Sequence, residues 1–135
     1  MESLDAKIDQ FLKAPSFGVA GASDDKNKYG HKVLVCYKQH ERKAYAINPK
    51  VETVLGEPAY ASVADLPEKV ESLSIITPPA VTEKIVDDAI AAGVKNIWMQ
   101  PGAESRSAIA KAEEAGVNVI HGGACVLVVL GYRGP

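Results

Sequence analysis

The sequence predicts an α/β fold, a doubly wound parallel sheet of about five strands with helices on both faces. Three observations predict it. Short, largely apolar runs such as Phe17–Ala20, Leu73–Ile76 and Asn96–Met99 alternate with longer segments of helical period. The apolar runs end abruptly in Gly, Pro or Asn, at Gly21, Asn48-Pro49, Thr77-Pro78-Pro79 and Gln100-Pro101-Gly102. Two helical segments close on glycines, Gly93 and Gly116, where a helix C-terminus favours a residue without a side chain. Strands covered by helices on both faces need no polar alternation, which is why these runs are mostly apolar.

Taken in order, Ser3 is a helix N-cap, and Leu4, Ile8, Phe11 and Leu12 form one stripe of a packing helix over residues 1–14, closed by Pro15. The first strand runs from Phe17 to about Ala20, and a loop, Ser23 to Lys28, follows it. A helix from about Tyr29 to His40 carries Val33, Leu34 and Tyr37 inward. The second strand, Lys43 to Ile47, stops at Asn48-Pro49, because proline has no N–H for a ladder. Residues Val51 to Tyr60 read as an irregular excursion with turn signals at Gly56 and Pro58. Ser62 to Asp65 is a short capped helix stopped by Pro67.

The third strand is Leu73–Ile76. The next helix buries Val81, Ile85, Val86, Ala89 and Ile90 and ends at Gly93. Asn96–Met99 is the fourth strand, Ser105–Ala115 an alanine-rich helix, and Val117–Ile120 the fifth strand. Val126–Leu130 is too short for its period to separate a sixth strand from a turn of helix. Right-handed crossovers between parallel strands give the expected order 3-2-1-4-5.

Composition narrows the function classes. With 135 residues, 47% hydrophobic and 24% charged, the chain suits one domain over 1–135. A net charge of -2 argues against nucleic acid and anionic membrane as partners, since both demand a basic face. The start, Met1-Glu2-Ser3-Leu4-Asp5, lacks a basic leader, and no run approaches the about 20 apolar residues of a membrane span. A soluble, cytoplasmic protein is expected, and two unpatterned cysteines, Cys36 and Cys125, fit a reducing compartment.

In open parallel sheets a ligand lies outside the carboxyl ends of the strands, where strand order reverses. Here four loops rich in Gly, Pro and small polar residues converge on that rim. The turn Gly21-Ala22-Ser23 lets a ligand approach the main chain, and the helix that follows offers unpaired N–H groups to a phosphate. Gly18, Gly21 and Gly30 miss the G-x-G-x-x-G spacing of dinucleotide sites, and no carboxylate follows the second strand to hold ribose hydroxyls.

These residues together resemble the CoA-binding domain family, single-domain proteins similar to the N-terminal domain of the succinyl-CoA synthetase alpha subunit. The likeness runs from Phe17 to about Cys125. It is carried by Gly21-Ala22-Ser23, Lys28 before Gly30, Ile47-Asn48-Pro49-Lys50, Leu55-Gly56-Glu57, Thr77-Pro78-Pro79, Trp98-Met99-Gln100 with Gly102, and Cys125. Pro101 and the lead-in His121-Gly122-Gly123-Ala124 depart from the family pattern. The resemblance implies a Rossmann-like fold and binding of coenzyme A or an acyl-CoA by a sensor, carrier or regulatory module. It implies no ligase activity, because the phosphorylated histidine and nucleotide-grasp machinery of the synthetases belong to other domains.

Residue chemistry agrees with that ligand. A carboxylate would repel the 3′-phosphate of CoA, whereas Asn48 and Lys50 offer an amide and a cation, with Pro49 between them. Ser23 and the amides of Ala22 and Ser23 suit the pyrophosphate, with charge from Lys28 or Lys26. Thr77, Pro78 and Pro79 make a rigid wall for adenine or the pantetheine arm, and the loop from Gln100 to Gly102 borders the far end of that arm. Cys125 is a thiol placed to meet the thiol of CoA. Asp24 and Asp25 read as loop solvation, His40 as solvated surface, and His31 as neutral contact to phosphate or exposed. Trp98 reads as core.

His121 and Cys125 lack the further ligands a metal requires, so no metal site is expected, and no catalytic constellation is visible. Two alternatives stand beside CoA binding: an NAD(P)-binding, reductase-like protein, and an interaction module that has lost its ligand.

Overall fold

The structure, a computed structural model, describes residues 3–134. Ser3 caps the first helix, α1 (Leu4–Leu12), its Oγ accepting from Ala6 N at 3.1 Å. Ile8 and Phe11 are the buried members of its stripe, while Leu4 stays 47% exposed. Strand β1 (Phe17–Ala20) leads through the Gly21 turn into α2 (Tyr29–Gln39) and then β2 (Ala44–Ile47). A hairpin of β3 (Thr53–Val54) and β4 (Glu57–Tyr60) follows, and then a 3-10 turn over Val63–Asp65. The remainder alternates β5 (Ser72–Ile75), α3 (Pro79–Ala91), β6 (Asn96–Met99), α4 (Arg106–Glu114), β7 (Asn118–Ile120) and α5 (Val126–Leu130). The short run after Cys125 is therefore helix.

The sheet has seven strands in the order β3-β4-β2-β1-β5-β6-β7, all parallel except β3. This corrects the expected five strands. The segment read as an irregular excursion supplies β4, which pairs in parallel with β2 through Ala46↔Ala59 and Ile47↔Tyr60. Counting the parallel strands alone, the order is 3-2-1-4-5-6, with β4 as the third. The strand expected in third place, β5, instead crosses over and pairs with β1 on its other side. The β3-β4 hairpin carries no sequence signal because its two-residue turn is Leu55-Gly56, with φ of 55° and 75°, instead of the Asn-Gly or Asp-Gly pair that usually announces such a turn.

Two apolar layers cover the sheet. Phe17, Val19, Ala44, Ala46, Trp98 and Ile120 face α1, α2 and α5. Ala20, Ile47, Leu73, Ile75, Ile97 and Met99 face α3, α4 and the 3-10 turn. The period-2 alternation of strands explains β5, whose Leu73 and Ile75 face one layer and whose Ser72 and Ser74 face the other. Both buried serines are satisfied: Ser72 Oγ donates to Phe11 O at 2.7 Å, and the Ser74 and Tyr37 hydroxyls share a bond of 2.7 Å. In α3 the inward residues are Thr82, Val86 and Ala89, and Val81 is 47% exposed, which corrects its expected burial.

Candidate functional site

Strand order reverses between β1 and β5, so the crevice that a doubly wound sheet offers to ligands opens between their carboxyl ends. The Gly21 turn closes one side of it. Gly21 has φ of +97°, and a Cβ there would lie 2.1 Å from Ile76 O. A Cβ on Gly30 would lie 1.9 Å from Gly21 O. The turn is thus pinched between the exit of β5 and the first turn of α2, and only residues without side chains permit it. Sequence spacing missed the dinucleotide fingerprint, yet the two jobs of its glycines, tight turn and close helix approach, are both done here.

Hydrogen bonds lock this turn to its neighbours. Gly21 N donates to Ile47 O at 3.0 Å, and Ile76 N donates to Ala20 O at 2.8 Å, extending the ladder past the strands. Asn48 Nδ2 donates to Ala22 O at 2.9 Å while its Oδ1 accepts from Lys50 N at 2.9 Å. A single side chain therefore fixes the Gly21 turn and the Asn48-Pro49-Lys50 loop against each other. Ser23 Oγ accepts from Asp25 N at 3.0 Å, which leaves its O–H to donate outward. His31 is only 6% exposed, and its Nδ1 donates to Ser23 O at 3.0 Å, so it braces the turn from below. This corrects its expected exposure.

Asp24 also does more than face water. Its Oδ1 accepts from Leu55 N at 2.7 Å, tying the tip of the β3-β4 hairpin to the loop after the Gly21 turn. Nothing in the residue types around Asp24 signalled that tie, because its partner is a backbone amide from a strand pair not visible in the sequence. Lys28 is the N-cap of α2 and places no side-chain cap on the helix, so the first-turn N–H groups have no side-chain acceptor. Lys26, Lys28 and Lys50 are exposed and take part in none of the ion pairs among the described residues.

On the opposite lip, Pro78 is the N-cap of α3 and Pro79 its first residue, both exposed. Thr77 and Thr82 join their hydroxyls at 2.8 Å and stiffen this lip. The next loop is a tight turn: Ala103 N donates to Gln100 O at 2.9 Å, and Gly102 has φ of +94° after Pro101, the geometry of a type II turn. Pro101 is thus explained by its turn position. Gly102 is exposed, but Gln100 is fully buried, its Oε1 accepting from Val126 N at 3.0 Å. Trp98, also fully buried, donates from Nε1 to Ala124 O at 2.9 Å, so the segment before α5 rests on β6.

The structure thus gathers Gly21, Ala22, Ser23, Asn48 and Thr77 around one crevice, with Pro49, Lys50, Lys28, Pro78, Pro79 and Gly102 exposed on its margins and Gln100 beneath it. A cavity of about 170 Å³ between α2 and the β2-β4 edge, lined by Leu34, Lys38 and Tyr45 among others, lies apart from this crevice and is smaller than an ordinary ligand pocket. Among the described residues, no three His, Cys, Asp or Glu side chains are grouped to hold a metal, and no helix is long and apolar enough to cross a membrane.

A 3-2-1-4-5-6 parallel sheet with a glycine turn and a helix N-terminus at the switch point defines a Rossmann-like nucleotide-binding domain. The chain belongs to the CoA binding domain family, whose profile matches residues 15–131. Coenzyme A is accordingly its cofactor class. It is 30% identical over 112 residues to an ADP-forming acetate–CoA ligase I of Archaeoglobus fulgidus, an alignment covering 76% of this chain and 16% of the ligase. Among solved structures, a hypothetical protein from Pyrococcus horikoshii OT3 superposes with a TM-score of 0.87 at 29% identity, covering 94% of this chain and 89% of that one. A dinucleotide-forming acetyl-coenzyme A synthetase 1 of Ca. Korarchaeum cryptofilum, in complex with phosphate and ADP, superposes with a TM-score of 0.71 at 28% identity, covering 79% of this chain and 25% of that one.

Proposed function

We propose that the chain binds coenzyme A or an acyl-CoA across the carboxyl rim of its sheet, acting over residues 1–135 as a stand-alone sensor, carrier or regulatory module without ligase activity. The observation that carries this reading is the pair of hydrogen bonds made by the Asn48 side chain, which holds the Gly21 turn and Lys50 in one frame. A pyrophosphate on the Ala22 and Ser23 amides, the Ser23 hydroxyl and the α2 N-terminus then has Lys50 within reach of the adenosine 3′-phosphate, with Lys28 adding positive charge. Pro49 keeps that loop rigid. Thr77, Pro78 and Pro79 wall the opposite side, and the Gln100–Gly102 turn borders the pantetheine arm. The chain spans 16% of the length of the Archaeoglobus ligase.

Calorimetric titration with CoA, 3′-dephospho-CoA and NAD tests the reading. CoA should bind about tenfold more tightly than its dephospho form, as one charge-assisted contact provides, and Lys50→Ala should erase that gap. Tighter binding of NAD than of CoA would point to a reductase-like protein, and heat with none of the three to an interaction module.

A further inference from the structure

The sheet leaves a gap at its amino end, away from the nucleotide crevice. Strand β4 pairs with β2 only through Ala46 and Ile47, although each strand has four residues. In a parallel ladder the residues of an inner strand bond alternately to its two neighbours. Phe17 N donates to Lys43 O at 2.9 Å and Gly21 N to Ile47 O at 3.0 Å, so the odd-numbered backbone groups of β2 serve β1. Asn48 N donates to Tyr60 O at 2.8 Å, so the even-numbered groups serve β4. The N–H and C=O of Ala44 therefore turn to the β4 side. There the ladder would next bring an N–H from residue 58 to Ala44 O, and residue 58 is a proline, which has none. Ala44 thus presents one backbone donor and one acceptor to the gap.

Ala44 and Pro58 both line the cavity of about 170 Å³ between α2 and the β2-β4 edge. Its charged lining is of both signs. Lys38 and Glu57 form an ion pair in its wall. Arg42 adds a cation held from two sides: Nη1 donates to Leu12 O at 2.7 Å, and the guanidinium lies 5.7 Å from the centre of the Phe17 ring. Arg42 takes part in none of the ion pairs among the described residues. The buried side chains of Leu34, Ala46 and Val54 supply an apolar wall. The space equals on the order of six waters' share of bulk liquid. That admits a molecule the size of a small amino acid and excludes a nucleotide.

We infer that this cavity is a second ligand site, for a free α-amino acid with a small uncharged side chain. Such a zwitterion matches both halves of the lining. Its carboxylate accepts from Ala44 N–H on the side of the Arg42 and Lys38 cations, and its ammonium donates to Ala44 O on the side of Glu57. The side chain rests against Leu34, Ala46 and Val54. A carboxylate without the ammonium leaves Ala44 O lacking a donor, and an amine without the carboxylate leaves Ala44 N–H lacking an acceptor. The site is independent of coenzyme A binding, because Ala44 opens the amino end of β2 whereas the crevice lies at the carboxyl ends of the strands.

Calorimetric titration of the protein with glycine, L-alanine and L-valine, each up to about 10 mM, tests the site. At least one should bind with an affinity of about 1 mM or tighter. Its analogues without the ammonium or without the carboxylate, for valine isovalerate and isobutylamine, should bind about tenfold or more weakly, the cost of one lost hydrogen bond. Pro58→Thr supplies the missing N–H to Ala44 O. It should keep or raise stability in denaturant and weaken the amino acid about tenfold, because the ladder then takes the acceptor. Glu57→Gln, which removes the charge facing the ammonium, should weaken it severalfold and serves where Pro58→Thr fails to fold. The site is overturned if none of the three amino acids binds, if isovalerate binds as tightly as valine, if a folded Pro58→Thr or Glu57→Gln variant binds as the parent does, or if CoA displaces the amino acid. Failure of CoA itself to bind leaves these outcomes unchanged and overturns only the coenzyme reading.

Discussion

A Cβ on Gly30 would stand 1.9 Å from the carbonyl oxygen of Gly21, so the first turn of α2 sits directly on the turn after β1. Backbone meets backbone there, and neither can give way by changing a rotamer. Gly30→Ala should cost about 1–3 kcal/mol in chemical denaturation, the range of an overpacked core site. It should also weaken CoA binding, because α2 can relieve the clash only by moving its amide donors off the turn. Loss of stability with unchanged affinity would separate the contact from the site.

Asn48 holds two loops with one amide. Asn48→Ala removes both bonds and leaves Ala22 O and Lys50 N to find water, which should lower stability by about 1–2 kcal/mol. Asn48→Asp keeps the acceptor for Lys50 N, loses the donor to Ala22 O, and adds a negative charge beside the phosphates. Titration calorimetry should rank CoA affinity as parent, then Asn48→Ala, then Asn48→Asp.

Asp24 places a carboxylate close to where a pyrophosphate is proposed, and it is kept there by its bond to Leu55 N. Asn at position 24 retains an oxygen acceptor and loses the charge. Asp24→Asn should therefore tighten CoA binding about two- to fivefold at low salt, with the gain shrinking as ionic strength rises. Asp24→Ala, which also frees the hairpin tip, should bind more weakly than Asp24→Asn.

The Tyr37 and Ser74 hydroxyls pair in the core, where Tyr37 also stacks on Phe17 with ring centroids 4.7 Å apart. Burial keeps the phenol protonated well beyond its ordinary range. Tyr37→Phe preserves the stack and strands Ser74 Oγ, for a loss of about 1–3 kcal/mol. The double variant with Ser74→Ala should recover much of that loss in denaturant unfolding, since an apolar pair leaves no orphan.

Stability at acid pH should depend on Glu68, which meets Lys43, Tyr45 and Ser16 at the amino ends of β1 and β2. The Lys43 bond foremost, then the Tyr45 hydroxyl, hold its carboxyl below the ordinary value of 4.5. A lowered folded pKa means that the contribution is complete above the unfolded value and is lost as pH falls through the folded one. Thermal melts of Glu68→Gln should thus differ from the parent by the full amount above about pH 4.5 and converge on it progressively as pH falls below that value. The pair is exposed, so added salt should narrow the difference.

Much of this architecture is legible from local patterns. Mostly apolar runs bounded by Gly, Pro or Asn located β1, β2, β5, β6 and β7, since a strand buried on both faces favours apolar side chains. Ser3, Gly93 and Gly116 marked helix ends through chemistry that acts within a few residues. The rim was legible too, because turn residues declare themselves wherever strands stop. The β3-β4 hairpin was not, since Leu55 at a positive φ carries no turn signal and is held there by Asp24 from a distant loop.

What the sequence by itself determined is an alternating α/β chain whose loops after β1, β2, β5 and β6 are rich in Gly, Pro and small polar residues. Only the tertiary structure decided that β4 takes the third place and that β5 crosses to the far side of β1, setting the switch point at Gly21. It also decided that Asn48 is a brace between loops, that His31 is buried behind Ser23, and that Tyr29 meets Cys125. Each of these depends on contacts between residues far apart in the chain, and such contacts exist only once the sheet has closed its ladder and drawn the loops to one edge.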